Sequence, residues 1–135
     1  MDRETVQAQA QAACDALVAG DIERATEAFS PELKANLRGT GFEDRARVHQ
    51  AAALRAVRGG RVRGPFDLVL ADPPYADENE LADVAAALAE RGLLLPTSVV
   101  VFEQAATVEP LPSIGELPLA NTRTHGQTRV SLYLA

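Results

Sequence analysis

Two short apolar runs dominate the second half of the chain, at residues 66–71 and 97–103. Uninterrupted runs of this length, rich in Val and Leu, are typical of strands that are covered on both faces. Between them, Leu81, Val84 and Leu88 recur at the spacing that places side chains on one face of a helix. Because a helix of this kind connects parallel strands, the pattern predicts one right-handed βαβ unit.

The end of the chain has a different pattern. Residues 115–123 and 128–134 alternate between apolar and polar side chains, and residues 124–127 separate them. Alternation with a period of two predicts strands with one buried face, and a short polar segment containing glycine predicts a hairpin loop. The sequence therefore predicts an antiparallel pair after the βαβ unit.

The first half of the chain is mainly helical in its pattern. Residues 3–18 are rich in Ala, Gln and Glu, residues 21–29 predict a second helix, and Ser30 is the predicted N-cap of a third. Residues 45–49 predict a brief strand, and residues 51–57 are rich in alanine and predict another helix. A helical segment is therefore expected ahead of the sheet.

The composition is that of a globular protein with one domain. The chain has 135 residues, of which 47% are hydrophobic and 24% are charged, so it is long enough to build a core. No apolar run approaches the roughly 18 residues of a membrane-spanning helix, and the first residues lack the core of a signal peptide. With Cys14 as the single cysteine, these features predict a cytoplasmic protein without a disulfide or a cysteine-based metal site.

The charge of the chain is unevenly distributed. A net charge of −6 argues against binding nucleic acid by overall electrostatic attraction. Residues 45–63 nevertheless contain six arginines and no acidic residue. The six are Arg45, Arg47, Arg55, Arg58, Arg61 and Arg63. Two interpretations stay open: the cluster contacts phosphates of a nucleic acid, or it is a solvated helix face and loop.

The first apolar run ends in a motif suited to binding an amine. The four residues after it, which we call the DPPY motif, are Asp72, Pro73, Pro74 and Tyr75. The prolines fix φ and cannot donate hydrogen bonds, so the strand stops and leaves carbonyl and carboxylate oxygens as acceptors. Such acceptors can hold both hydrogens of an exocyclic amine while the tyrosine ring stacks on the base. The alternative is a strand exit followed by a helix N-terminus.

Glu103 ends the second apolar run. A carboxylate at the carboxyl end of a parallel strand lies near the crevice where ligands bind in open α/β sheets. It can equally cap the loop that follows, so both roles stay open.

Four segments of the chain resemble a known family in sequence and in order. They are residues 36–48 (NLRGTGFEDRARV), 64–75 (GPFDLVLADPPY), 99–103 (VVVFE) and 123–133 (RTHGQTRVSLY). The family is RsmD, whose members use S-adenosylmethionine to methylate the N2 amine of a guanine in small-subunit ribosomal RNA. The resemblance implies an α/β fold with part of a Rossmann-like methyltransferase sheet, preceded here by a helical N-terminal segment.

The resemblance also implies how the protein acts. The acid and the prolines of the DPPY motif, Asp72, Pro73 and Pro74, receive the target amine, and Tyr75 stacks on the base. S-adenosylmethionine is then the cofactor and ribosomal RNA the partner. The arginines expected to contact RNA phosphates are Arg55, Arg58, Arg61 and Arg63.

The chain departs from this family in two places. The family has a first strand and a glycine-rich turn that bind the cofactor, whereas residues 1–32 here predict helices, which leaves residues 33–135 as a methyltransferase-like half domain. Where the family has an acid that binds the adenine amine, this chain has Ala51, Ala52 and Ala53. Each lost hydrogen-bonding group costs about 1 to 3 kcal/mol. A non-catalytic remnant or fusion that acts as a binding module is therefore an alternative function.

The missing first strand has a further consequence. In the family's sheet the strand at residues 66–71 is central and has a neighbour on its cofactor side. An unpaired edge that is apolar on both faces favours pairing with another chain. Either the N-terminal helices cover this edge or two copies pair across it. Because helices cannot satisfy strand donors, the sequence favours a homodimer through the edge of the Phe66–Ala71 strand.

Overall fold

The computed structural model describes residues 24–26, 30–73 and 79–135. The chain forms two compact units, an N-terminal unit of residues 1–56 and a C-terminal unit of residues 57–135. The helix predicted at residues 3–18 lies outside the described residues.

The N-terminal unit contains a short pair of parallel strands. β1 (Arg24–Thr26) pairs with β2 (Val48–Gln50), and Ala25 lies opposite His49. The helix predicted at residues 21–29 is therefore wrong at its described residues, which form β1. Local helix propensity is a weak preference, and pairing with a strand far along the chain overrides it.

A helix connects these two strands. α1 spans Ser30–Thr40 and confirms the helix start predicted at Ser30. It ends at Thr40, and the φ of 79° at the following Gly41 allows the Phe42 N–H to donate to the Leu37 carbonyl at 2.9 Å. A single turn of 3-10 helix follows at Glu43–Arg45.

The next two elements differ slightly from their predicted bounds. The brief strand expected at residues 45–49 begins and ends later, as β2, and the alanine-rich helix is α2 (Ala53–Arg58). Within the described part of the chain, no helix has the length and apolar character needed to cross a membrane.

The C-terminal unit is built on a five-stranded sheet with the order β3-β4-β7-β6-β5. The strands are β3 (Phe66–Ala71), β4 (Leu94–Ala105), β5 (Ser113–Ile114), β6 (Leu117–His125) and β7 (Thr128–Tyr133). β3 and β4 are parallel and are joined by α3 (Glu80–Glu90), whereas the other neighbours are antiparallel. The predicted βαβ unit and antiparallel pair are confirmed, and the fold is of the α/β class.

β4 contains an insertion opposite the start of β3. Residues 66–68 of β3 lie opposite residues 94–99 of β4, so β4 has three more residues than its partner in this stretch. The Ser98 side chain closes the insertion: its hydroxyl accepts a hydrogen bond from the Leu95 N–H at 2.7 Å and donates one to the Phe66 carbonyl. Ser98 is fully buried. The insertion is thus a fixed part of the sheet.

The hydrophobic core lies between α3 and one face of the sheet. Its central residues are Leu81, Ala85, Val100, Phe102, Ile114, Leu117 and Tyr133. The Tyr133 ring meets the Phe102 ring edge to face, with centroids 5.7 Å apart, and the Tyr133 hydroxyl donates to the Leu111 carbonyl at 2.9 Å. This packing holds β4 and β7 in place, and both strands contribute to the candidate site.

Candidate functional site

β3 ends at Ala71, and the DPPY motif follows it directly. Asp72 is exposed, Pro73 is partly exposed, and neither belongs to a helix or a strand. The strand stops here because Pro73 has no N–H and disfavours helical backbone at Asp72. The predicted strand exit is confirmed, with its carboxylate at the surface, whereas Pro74 and Tyr75 lie outside the described residues.

A row of four residues crosses the sheet at this end, and we call it the carboxyl-end row. The last parallel pair of β3 and β4 is followed by Asp72 on one strand and by Glu103 on the other. Glu103 lies opposite Val130 of β7, and Val130 lies opposite Arg123 of β6. Neighbouring strands are about 4.8 Å apart, so three strand spacings separate the Asp72 and Arg123 backbones by about 14 Å.

Three members of the row lie on the same face of the sheet. Phe102 and Tyr133 belong to the core beneath α3. Because side chains alternate along a strand, Glu103 and Val130 lie on the opposite face, and Arg123 shares that face as the partner of Val130. β4 continues to Ala105, so Glu103 lies within a strand, at the end where the parallel pairing stops.

A tight hairpin brings Arg123 and His125 to this end of the sheet. β6 ends at His125 and β7 begins at Thr128, so the loop has two residues where the sequence predicts four. Gly126 has a φ of 59°, which suits a tight turn. Thr128 lies opposite Ala105, so the hairpin tip is at the carboxyl end of β4, the same end as Asp72.

Arg123 and His125 are both exposed, and they are two residues apart on β6. This spacing places them on one face of the strand, which is a signal that the sequence contains. The sequence alone does not reveal the order of the strands, and it is this order that places the face of β6 with Arg123 and His125 near Asp72 and Glu103. Both residues belong to the segment 123–133 that resembles a known family, yet the sequence assigns neither of them a role in the site.

The arginines predicted to contact phosphates lie elsewhere. Arg58, Arg61 and Arg63 precede β3 and are exposed, and Arg55 belongs to the N-terminal unit. β3 has six residues, each with a rise of about 3.3 Å, so its first residue is about 20 Å from Asp72, and the three arginines of the C-terminal unit precede that residue in the chain. Within the C-terminal unit, the structure does not bring Arg58, Arg61 or Arg63 together with Asp72.

A further arginine lies beside this group. Gly60 has a φ of 73°, and a Cβ atom added to it would be 3.1 Å from Nη2 of Arg91. The neighbouring Val62 is buried, with 8% of its surface exposed, and it anchors the loop that precedes β3. Arg91 therefore lies with Arg58, Arg61 and Arg63 at the amino end of the sheet, and we call this group the basic surface.

The described residues fit the expected cofactor poorly at one position. β2 ends at Gln50 and is followed by Ala51 and Ala52, both partly exposed. Alanine has no acceptor for an adenine amine, so the contact that the family pattern provides after this strand is missing. Where the structure is described, no three His, Cys, Asp or Glu side chains are grouped so that they could hold a metal ion.

One family model matches most of the chain. It is described as conserved hypothetical protein 95, and it matches residues 12–134. The match extends further toward the N-terminus than the four RsmD-like segments, which begin at residue 36. No curated protein matches the chain significantly.

Several solved structures share this fold. A conserved hypothetical protein from Streptococcus pyogenes has a TM-score of 0.72 and 29% identity, over 84% of this chain and 71% of that chain. A proposed methylase from Haemophilus influenzae has a TM-score of 0.71 and 22% identity, over 86% and 74%. A proposed methyltransferase from Escherichia coli has a TM-score of 0.66 and 23% identity, over 82% and 59%. The chain therefore has a methyltransferase-like fold.

Proposed function

The chain belongs to the conserved hypothetical protein 95 family, and from this premise we propose that it is an S-adenosylmethionine-dependent methyltransferase of small-subunit ribosomal RNA, acting on the N2 amine of a guanine. The observation that carries the proposal is the exposed Asp72 immediately after β3, at the carboxyl end of a parallel pair in a methyltransferase-like sheet. Ligands bind at this end of strands in open α/β sheets. A ribosomal RNA substrate also places the protein in the cytoplasm.

In this proposal the DPPY motif holds the target amine. The Asp72 carboxylate and the Pro73 carbonyl accept hydrogen bonds from the two amine hydrogens, with Pro74 keeping the segment rigid and Tyr75 stacking on the guanine. S-adenosylmethionine supplies an electrophilic methyl group when it is bound. The contribution of the chain's own residues is therefore to orient the amine and exclude other geometries, which is catalysis by positioning and electrostatics.

Two measurements test the proposal. Calorimetry is expected to show S-adenosylmethionine binding with a dissociation constant below about 100 μM, and labelled methyl groups are expected to transfer to unmodified small ribosomal subunits. Asp72→Asn is expected to lower the transfer rate by about 100-fold, because an acceptor of the amine hydrogens is weakened. Asp67→Asn is the matched control, since it makes the same change at the other end of β3 and should leave the rate unchanged.

The basic surface has a separate role in this proposal. Arg58, Arg61 and Arg63 contact RNA phosphates that are distant from the target base, and Arg55 of the N-terminal unit also contacts RNA phosphates. The length of β3, about 20 Å, lies between Asp72 and the loop that carries Arg61 and Arg63, which supports contacts several nucleotides away rather than contacts with the target itself. Phosphate contacts of this kind position a substrate without reading its sequence.

One observation favours the alternative, a binding module without catalysis. Ala51 and Ala52 follow β2 where a carboxylate would bind the adenine. That residues 1–32 replace the cofactor-binding half, leaving residues 33–135 as a half domain, stays a prediction. The alternative is supported if the protein binds RNA but shows no S-adenosylmethionine binding up to about 1 mM, an affinity of only about 4 kcal/mol.

We also propose a homodimer through the edge of β3. Within the described sheet of the C-terminal unit, β3 is the outermost strand on its side. The N–H and carbonyl of Phe66 both point toward β4, donating to Leu93 and accepting from Ser98. Because the backbone groups of successive strand residues point to opposite sides, those of Asp67 point away from β4. These are the groups that a second copy would pair with.

A further inference from the structure

The carboxyl-end row changes character across the sheet. Asp72 and Glu103 are acidic, Val130 is apolar and partly exposed, and Arg123 is basic and exposed. His125 lies on the same face as Arg123, two residue pairs closer to the hairpin tip. One end of the row can accept hydrogen bonds from an amine, and the other end can donate hydrogen bonds to an anion.

The length of the row suits a nucleotide. About 14 Å separates the Asp72 and Arg123 backbones, and the long arginine side chain can shorten the distance between the two charged groups. The distance that then remains between the Asp72 carboxylate and the Arg123 guanidinium is comparable to the distance from the exocyclic amine of a guanine to the phosphate on its sugar. Val130 lies between the charged ends and offers an apolar surface for the sugar.

The β6–β7 hairpin, which carries Arg123 and His125, is held in place by hydrogen bonds to the loop after β4. The Ala106 N–H donates to the Gln127 carbonyl at 2.8 Å, and the Arg129 Nη1 donates to the Val108 carbonyl at 2.7 Å. These bonds tie the hairpin to the loop after β4. A binding group on a fixed element loses less entropy when its ligand binds.

We propose that Arg123 and His125 bind a phosphate of the target nucleotide, or of its immediate neighbour, while Asp72 holds the amine of the base. This inference rests on the proposed function, and it assigns the phosphate side of the same site to the β6–β7 hairpin. A guanidinium makes charge-assisted hydrogen bonds with phosphate oxygens, and an imidazole N–H can donate one more. The arginines at the amino end of the sheet are too distant for this contact.

A short RNA separates the two basic surfaces. A five-nucleotide single-stranded RNA with a central guanine is long enough to occupy the carboxyl-end row but too short to remain there and reach the arginines before β3. Its dissociation constant is measured by NMR titration of the full chain at low salt. Arg123→Gln is expected to raise this constant about fivefold, whereas Arg123→Lys, which keeps the charge, should change it less than about twofold.

Arg38→Gln is the control, because it removes one exposed arginine that has no assigned contact with RNA. It should change the dissociation constant for the short RNA by less than about twofold. Arg123→Gln should also reduce the slope of log affinity against log salt by about 0.7, the value for one phosphate contact on a single strand. Thermal unfolding of each variant verifies that the fold is retained.

Three results would overturn the inference: no binding of the RNA by the natural chain, an unchanged constant in Arg123→Gln, or an equal loss in Arg38→Gln. Its failure can be distinguished from failure of the proposed function. RNA binding that depends on Arg123 without methyl transfer supports the inference and contradicts the methyltransferase. Methyl transfer, together with RNA binding that Arg123→Gln leaves unchanged, supports the methyltransferase and contradicts the inference.

Discussion

Ser98 and Tyr133 are buried polar residues whose hydroxyls connect separate parts of the C-terminal unit. Ser98 bonds to backbone groups of both β4 and β3, and Tyr133 bonds to the Leu111 carbonyl in the loop after β4. Buried polar groups are costly unless they are hydrogen-bonded, so these contacts contribute mainly by satisfying groups that have no access to water.

Replacement of Ser98 by alanine is expected to destabilise the protein by about 1 to 3 kcal/mol, because the Leu95 N–H and the Phe66 carbonyl each lose a buried partner. Chemical denaturation measures the change in the free energy of unfolding. Ser113→Ala is the control, since Ser113 is exposed at the start of β5. Equal stability of the two variants would show that Ser98 does not hold the insertion in β4.

Tyr133→Phe is expected to alter the dependence of stability on pH. Burial raises the pKa of the Tyr133 hydroxyl above its ordinary value of about 10. The folded state therefore retains the proton when the unfolded state has lost it, so the contribution of Tyr133 is complete below the unfolded pKa and is lost as the pH rises through the folded pKa. Denaturation between neutral and strongly alkaline pH should show a smaller decline in Tyr133→Phe than in the natural chain.

The elements that follow from local patterns could be predicted from the sequence. The βαβ unit was indicated by two apolar runs and an intervening helical stripe, and α1 by the N-cap predicted at Ser30. β1 could not be predicted in the same way, because it has only three residues and depends on pairing with β2. The insertion in β4 could not be predicted from the sequence either, because it is defined only by the pairing of β4 with β3.

The candidate site also contains residues that the sequence alone locates and residues that only the whole fold brings together. The DPPY motif is contiguous, so the sequence alone locates Asp72 at the end of a strand. Arg123 lies far along the chain, and it joins the carboxyl-end row only because β7 and β6 follow β4 in the sheet. The arginines before β3 are close to the motif in sequence, yet the length of β3 separates them from it.

A homodimer formed through β3 is expected to be sensitive to the backbone at Asp67. Asp67→Pro removes an N–H that points away from β4, so it should weaken the dimer without removing a bond to β4. Sedimentation equilibrium over a range of protein concentrations measures the association. Asp67→Ala removes the same carboxylate but keeps the N–H, so it should dimerise at least as well as the natural chain. A monomer at every concentration would exclude this mode of pairing.

The position of β7 affects how the protein is made. β7 follows every other strand in chain order, yet it lies between β4 and β6 in the sheet. During synthesis, β4 and β6 must therefore wait for their shared neighbour to leave the ribosome, with their inner edges open to incorrect partners. A nascent chain that stalls before Thr128 would expose both edges at once, which makes it a natural substrate for chaperones and proteases.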